Sequence, residues 1–141
     1  MTVFNANLLN GVLAAFVRRD LEGALAFFAD DAIIFDPHYP VAEMRGKPAI
    51  RRGLAWALGN MEKPGFVIRH IWLEGDTGAA EVDTDHLFKG GMKFSFRQVF
   101  VFEIRDDLLT QLRAYVPYPP PGIGGWIARL TRLMWRIGGK T

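Results

Sequence analysis

The sequence predicts an α+β domain in which three N-terminal helices cover one face of a curved antiparallel sheet, with a separate amphipathic helix at the C-terminus. Three observations carry this expectation. Apolar residues recur at helical spacing through the first part of the chain, and four long strand-like runs with short turn signals fill the second. A proline cluster then divides both parts from a basic tail.

Residues 3–18 set Phe4, Leu8, Leu9, Val12, Leu13 and Phe16 on one helical face, which Arg18-Arg19-Asp20 interrupts. Asp20 can cap a second helix, in which Leu21, Ala24, Leu25 and Phe28 continue the pattern as far as Asp30-Asp31. Residues 32–35 (Ala-Ile-Ile-Phe) are too few for a helix and rich in strand formers, and they read as one buried strand stopped by Asp36-Pro37. Gly46-Lys47-Pro48 opens a third helix running to Leu58, with proline in the first turn, where its missing N–H is harmless. Residues 66–73, 79–88, 92–104 and 108–116 then read as strands, separated by turns short enough for hairpins. Consecutive strands joined in this way form an antiparallel meander. The run Pro117-Tyr118-Pro119-Pro120-Pro121-Gly122 cannot continue a ladder and reads as an extended spacer before a helix over 123–137.

Composition bounds the function. A chain of 141 residues that is 50% hydrophobic, 13% aromatic and 23% charged suits one globular domain, here residues 1–118, with 119–141 as spacer and tail helix. The absence of cysteine excludes a disulfide scaffold and a thiolate metal site. The net charge of +2 hides a division: residues 119–141 hold Arg129, Arg132, Arg136 and Lys140 without an acid, leaving 13 basic against 15 acidic groups in the body. Such a body offers no concentrated basic face for nucleic acid. Asn5, Asn7, Asn10, Arg18, Arg19 and Asp20 break up the N-terminus, so a signal peptide is not expected and the cytoplasm is the expected compartment.

Phe28-Ala29-Asp30-Asp31-Ala32, then Phe35-Asp36-Pro37, then Arg45-Gly46-Lys47-Pro48-Ala49-Ile50 resemble the nuclear transport factor 2-like superfamily, including its SnoaL-like polyketide cyclases, ketosteroid isomerases and limonene-epoxide hydrolases. The resemblance covers residues 1–118. It implies a cone in which a strongly bent sheet wraps the helices around one deep apolar pocket, and it implies a homodimer through the outer sheet face.

Asp36 matches the position of the isomerases' catalytic base. A carboxylate at a strand end beside an apolar cavity can shuttle a proton next to a carbonyl. The competing use is a turn cap with Pro37-His38, common for Asp before proline. Other isomerase features are missing: the oxyanion-hole tyrosine position holds Val12, and the protonated aspartic acid position holds Val99, or Gln98 in a shifted alignment. Without those donors, strict steroid isomerisation is not expected. The epoxide-hydrolase acid-arginine-acid positions read Asp83, Glu81 and Ala114, which also argues against that reaction.

The same alignment puts Glu81, Asp83, Phe96, Gln98, Phe100 and Val116 on the pocket face. The expected pocket therefore joins the catalytic carboxylates Asp36, as base, and Asp83, as polar partner, to Glu81 and Gln98, between aromatic walls from Trp72, Phe94, Phe96 and Phe100, with His38 and Tyr39 at the mouth as substrate contacts or as a packing corner. In the alternative, Glu81, Asp83 and Asp85 face solvent, balanced by Lys93, Arg97 and Arg113, while Val82, Thr84, His86 and Phe88 point inward. His38, His70 and His86 lack a metal-binding spacing, and no metal or cofactor is expected.

On the tail helix, Ile127, Leu130, Met134 and Ile137 line one side, with the basic residues on the other. Docking of that apolar side on the sheet or a partner subunit is expected ahead of binding to anionic lipid. The functional expectation is an apolar small-molecule ligand and cofactor-independent acid–base chemistry of isomerase, cyclase or dehydratase type. The alternative is a non-catalytic ligand-binding or dimeric interaction module, membrane-associated through the tail.

Overall fold

The computed structural model describes residues 2–118 and 122–139, without the side chains of residues 2–6; Phe4's side chain, Pro119, Pro120, Pro121 and Lys140 therefore lie outside the described residues. The elements are α1 (Thr2–Val17), α2 (Leu21–Leu25), β1 (Phe28–Phe35), β2 (Glu43–Arg45), α3 (Lys47–Asn60), β3 (Met61–Lys63), β4 (Phe66–Glu74), β5 (Thr77–Phe88), β6 (Lys93–Arg105), β7 (Leu108–Tyr115) and α4 (Gly122–Ile137). The seven strands form one curved, open sheet in the order β2-β1-β7-β6-β5-β3, with β4 also paired to β5. The meander of β4 to β7 is antiparallel as predicted, whereas β1 joins β7 in parallel.

The hairpins follow from local chemistry. Asp106 and Asp107 take φ of 52° and 63°, the hand a two-residue turn needs to match the twist of its strands. Gly46, at φ 83°, turns the chain into α3, and its N–H donates to the Ala32 carbonyl at 2.7 Å, which fixes α3 against β1. Arg19 donates to the carbonyls of Leu58 and Met61 at 2.7 and 2.6 Å, satisfying backbone acceptors at the end of α3. Leu9, Ala15, Phe28, Ile50 and Phe102 are among the most buried members of a single core between the helices and the concave face of the sheet.

Two expectations are corrected here. The second helix ends at Leu25 rather than near Asp30, because Phe28 opens β1 and pairs with Leu109 of β7; this pairing outweighs the helical spacing of Phe28. The apolar side of α4 does not dock on the chain's own sheet: Leu130 is 56% exposed and Trp126 73%. Among the described residues no helix is long and apolar enough to cross a membrane.

Candidate functional site

The curvature leaves a cavity of about 280 Å³ between the helices and the concave face. Its walls are mostly aromatic, with Phe16 from α1, Phe66 from β4, and Phe94, Phe96 and Phe100 at alternate positions of β6. Its polar groups are few: Asp36, His38, Tyr39, His86 and Gln98. Apolar walls with a small number of fixed polar groups characterise small-molecule sites.

Asp36 follows the last residue of β1, which brings its carboxylate to the cavity wall with only 13% of the side chain exposed. Its Oδ1 accepts from the His38 backbone N–H at 2.9 Å and lies 2.8 Å from His38 Nδ1. The turn-capping and pocket-facing placements, set out as alternatives from the sequence, are therefore both realised by one side chain. His38 Nε2 in turn lies 2.8 Å from the Tyr118 hydroxyl. With the neutral ring carrying its proton on Nδ1, Tyr118 donates to Nε2 and Nδ1–H donates to Asp36, a three-residue relay. The His38 ring packs on Phe96, centroids 4.9 Å apart, which holds its orientation. Burial, and to a lesser degree the Asp36 charge, push the Tyr39 phenol well above its usual range. The same two causes raise Tyr118. Both phenols remain proton donors at neutral pH. Tyr118 carries no role in the sequence reading, because it lies in the proline segment beyond the last strand.

Deeper in the cavity, Gln98 is 3% exposed, and its amide nitrogen donates to the Thr84 hydroxyl at 2.7 Å. In that orientation Oε1 is a buried acceptor without a hydrogen-bond partner. Such an atom costs stability unless something pairs with it. His86 accepts at Nδ1 from the Gly65 N–H at 3.2 Å, so its neutral ring keeps its proton on Nε2. Burial first, and the nearby His38 second, lower its pKa to about 4.

The β5–β6 register decides which residues share the cavity. Val82 pairs with Gln98, Thr84 with Phe96 and His86 with Phe94, and residues directly opposite in a ladder point to the same side. Since Phe96, Gln98 and Phe100 line the cavity, the even-numbered positions of β5 point to the same concave side, where His86 and Phe88 reach the cavity, and Glu81 and Asp83 must face away. The expected placement of Asp83 and Glu81 beside Asp36 is corrected accordingly. Asp83 accepts from Arg69 at 2.6 Å and Arg97 at 2.9 Å on the convex face, and these bonds, Arg97 foremost, lower its pKa. Glu81 pairs with Arg69 at 3.8 Å. Arg113 bonds Glu103 rather than these acids.

Trp72 also lies on the convex face, opposite Ala79 and against His70. Val116 follows the end of β7 and is not among the cavity residues. Of the residues singled out from the sequence, the structure brings together Asp36, His38, Tyr39, Phe94, Phe96, Gln98 and Phe100. His86 and Phe88, from the alternative inward set of β5, lie with them, and Phe66 and Phe16 join them. Val12 and Ala114, the apolar replacements for two polar residues of related enzymes, line the same cavity. Among the described residues, no three His, Asp or Glu side chains are grouped so as to hold a metal ion.

Comparison with known proteins agrees with this geometry. A 20% identical Catenulispora acidiphila protein of ketosteroid isomerase-like fold, solved with trimethylamine, superposes with a TM-score of 0.71 over 79% of this chain and 86% of its own. The Δ5-3-ketosteroid isomerase of a Mycobacterium species and a Mycobacterium tuberculosis protein bound to estradiol-17β-hemisuccinate each superpose with a TM-score of 0.71 at 21% identity, covering 79% of this chain and 92% of theirs. At these identities the likeness establishes the fold. No protein of curated function matches in sequence. The SnoaL-like domain model matches residues 9–112, most of the chain, and the chain belongs to the SnoaL-like family within the cone-shaped fold that its sheet and helices form.

Proposed function

We propose that the protein binds an apolar, ring-containing small molecule and moves a proton on it without a cofactor, with Asp36 as base. The observation that carries this reading is the Asp36 carboxylate on the wall of an aromatic cavity, oriented through Oδ1 by two hydrogen bonds from His38. Both bonds engage Oδ1 and leave Oδ2 to take a substrate proton. A base held in place and facing an apolar cavity contributes about 10²–10⁴-fold to such a transfer. The Tyr39 phenol, held protonated, supplies a hydrogen-bond donor on the same wall. His86 and Gln98 offer a further donor and a further acceptor for a ligand's polar groups. The estradiol-17β-hemisuccinate bound to one structural neighbour, and the ketosteroid isomerase activity named for another, support a polycyclic ligand class.

Asp83 has no part in this reading, because its carboxylate is bound by two arginines on the far face. Val12 supplies no oxyanion donor and Val99 faces the convex side, so of the two matched positions the cavity holds only the Gln98 amide, whose nitrogen is engaged by Thr84; this favours abstraction from an already acidic carbon over steroid isomerisation. Deuterium exchange into the α-positions of apolar cyclic ketones, followed by NMR, tests the reading. Wild type should accelerate exchange, and Asp36→Asn should lose that acceleration while still binding the ketone. Binding without exchange in wild type would leave a carrier in place of an enzyme. A homodimer through the convex face belongs to the same reading, supported by exposed Val67 and Trp72 there, and sedimentation equilibrium checks it.

A further inference from the structure

The apolar side of α4 is larger than the sequence pattern alone suggests. At 3.6 residues per turn, Leu133, Trp126, Ile137, Leu130, Ile123 and Met134 fall within one unbroken arc of about 100°. All six are exposed. Arg129, Arg132 and Arg136 border one edge of that arc, and residues 119–141 contain no acid. An exposed apolar face of this extent signals an interaction surface. With 16 residues, α4 is about 24 Å long, too short to span a bilayer but suited to lying on one.

We propose that α4 binds an anionic lipid surface, with the apolar arc at the acyl boundary and the three arginines on lipid phosphates. Charge selects this occupant. A second copy of α4 packed face to face would bring two cationic borders together when antiparallel and leave both without a counter-charge when parallel, since neither helix carries an acid. An anionic bilayer supplies both what the arc needs and the counter-charge for its border. Residues with this composition that lie in the interfacial plane bind through buried apolar area plus attraction to acidic headgroups.

The experiment uses the full chain and two kinds of vesicle, pure phosphatidylcholine and equal parts phosphatidylcholine and phosphatidylglycerol. Each arginine near an anionic surface is worth about fivefold in partitioning, so the three together should favour the anionic vesicles by about a hundredfold. The preference should shrink as salt rises. Leu130→Glu should abolish sedimentation with either vesicle. The triple substitution Arg129→Gln, Arg132→Gln, Arg136→Gln should bind both vesicles equally and weakly. Near-UV circular dichroism and dye binding in the cavity should be unchanged in both variants, since no α4 side chain lines the cavity. Equal binding of wild type to the two vesicles, no binding at all, or anionic binding that survives Leu130→Glu would overturn the proposal. A wild-type dimer that ignores vesicles and falls to monomer in Leu130→Glu would overturn it in favour of a second copy.

Discussion

The two faces of β5 and β6 sit back to back on the same strands and solve the problem of polar residues in opposite ways. On the convex face, Asp83 is held by Arg69 and Arg97, and Glu103 by Arg113, pairs that water already supports. On the concave face, Thr84, His86 and Gln98 are buried, and one amide oxygen has no partner. An exposed acid with two guanidinium partners is fixed in its ionised form and contributes little that is specific. A buried acceptor left open is costly to the empty protein, and a cost of that kind persists where a ligand relieves it. Polar residues on the inner face are therefore better candidates for function than the more numerous charges outside.

The sharpest way to break this contrast is to neutralise one acid on each side. Asp36→Asn should lower α-proton exchange by about a hundredfold or more, measured by NMR with saturating ketone. Asp83→Asn belongs at the other end of the scale and is taken up last.

His86 gives the next largest effect. Its folded pKa of about 4 lies below the ordinary histidine value of 6.5 given for the unfolded chain, so the unfolded state binds the proton first as pH falls. The associated stability is whole above pH 6.5 and is lost as pH drops toward 4, by about 3 kcal/mol at the limit. Urea unfolding of wild type and His86→Gln across that window should show the gap between them changing by this amount in this direction. A gap independent of pH would mean that the ring is not buried neutral.

A smaller effect separates stability from binding. The double change Thr84→Val, Gln98→Leu removes the orphan acceptor together with its neighbour, and should leave the folded protein as stable as before or more so by about 1 kcal/mol. The same change should weaken a ligand bearing a hydroxyl by about tenfold relative to its deoxy analogue, read by isothermal titration. Equal weakening of both ligands would mean that the amide does not touch the ligand. Finally, Asp83→Asn should leave exchange unaltered and move the thermal midpoint too little to resolve. A large loss of exchange there would refute the division between the faces.

How far the sequence reveals this molecule depends on the range of the deciding interaction. The helical spacing in α1 and α3 and the turn signals between β4 and β7 are local, and those elements appear close to where the residues place them. Phe28 misleads because its separations of three, four and seven residues from Leu25, Ala24 and Leu21 are a good helical pattern, and only a parallel partner 81 positions away in β7 makes it a strand. β2 and β3, at three residues each, are too short to carry a period. Asp36 stands out in the sequence through the resemblance of Phe35-Asp36-Pro37 to the isomerases' strand end, since position and proline context alone suit a turn cap as well as a pocket base. No such cue separates the two faces of β5, where both alternating sets contain good strand formers and the choice rests on register with β6. Arg69 could not be anticipated as the partner of Asp83, since it occupies an irregularity in the β4–β5 ladder.

The bond from Tyr118 to His38 bears on where the chain can be cut. A truncation designed to delete only the amphipathic tail will be tempted to end with the last strand, at Tyr115 or Val116, and would silently remove the outermost hydroxyl of the relay behind Asp36. Shortened forms that stop before residue 118 would then confuse two losses, and a change in chemistry would be blamed on a helix that lines no part of the cavity. The clean boundary falls after that tyrosine.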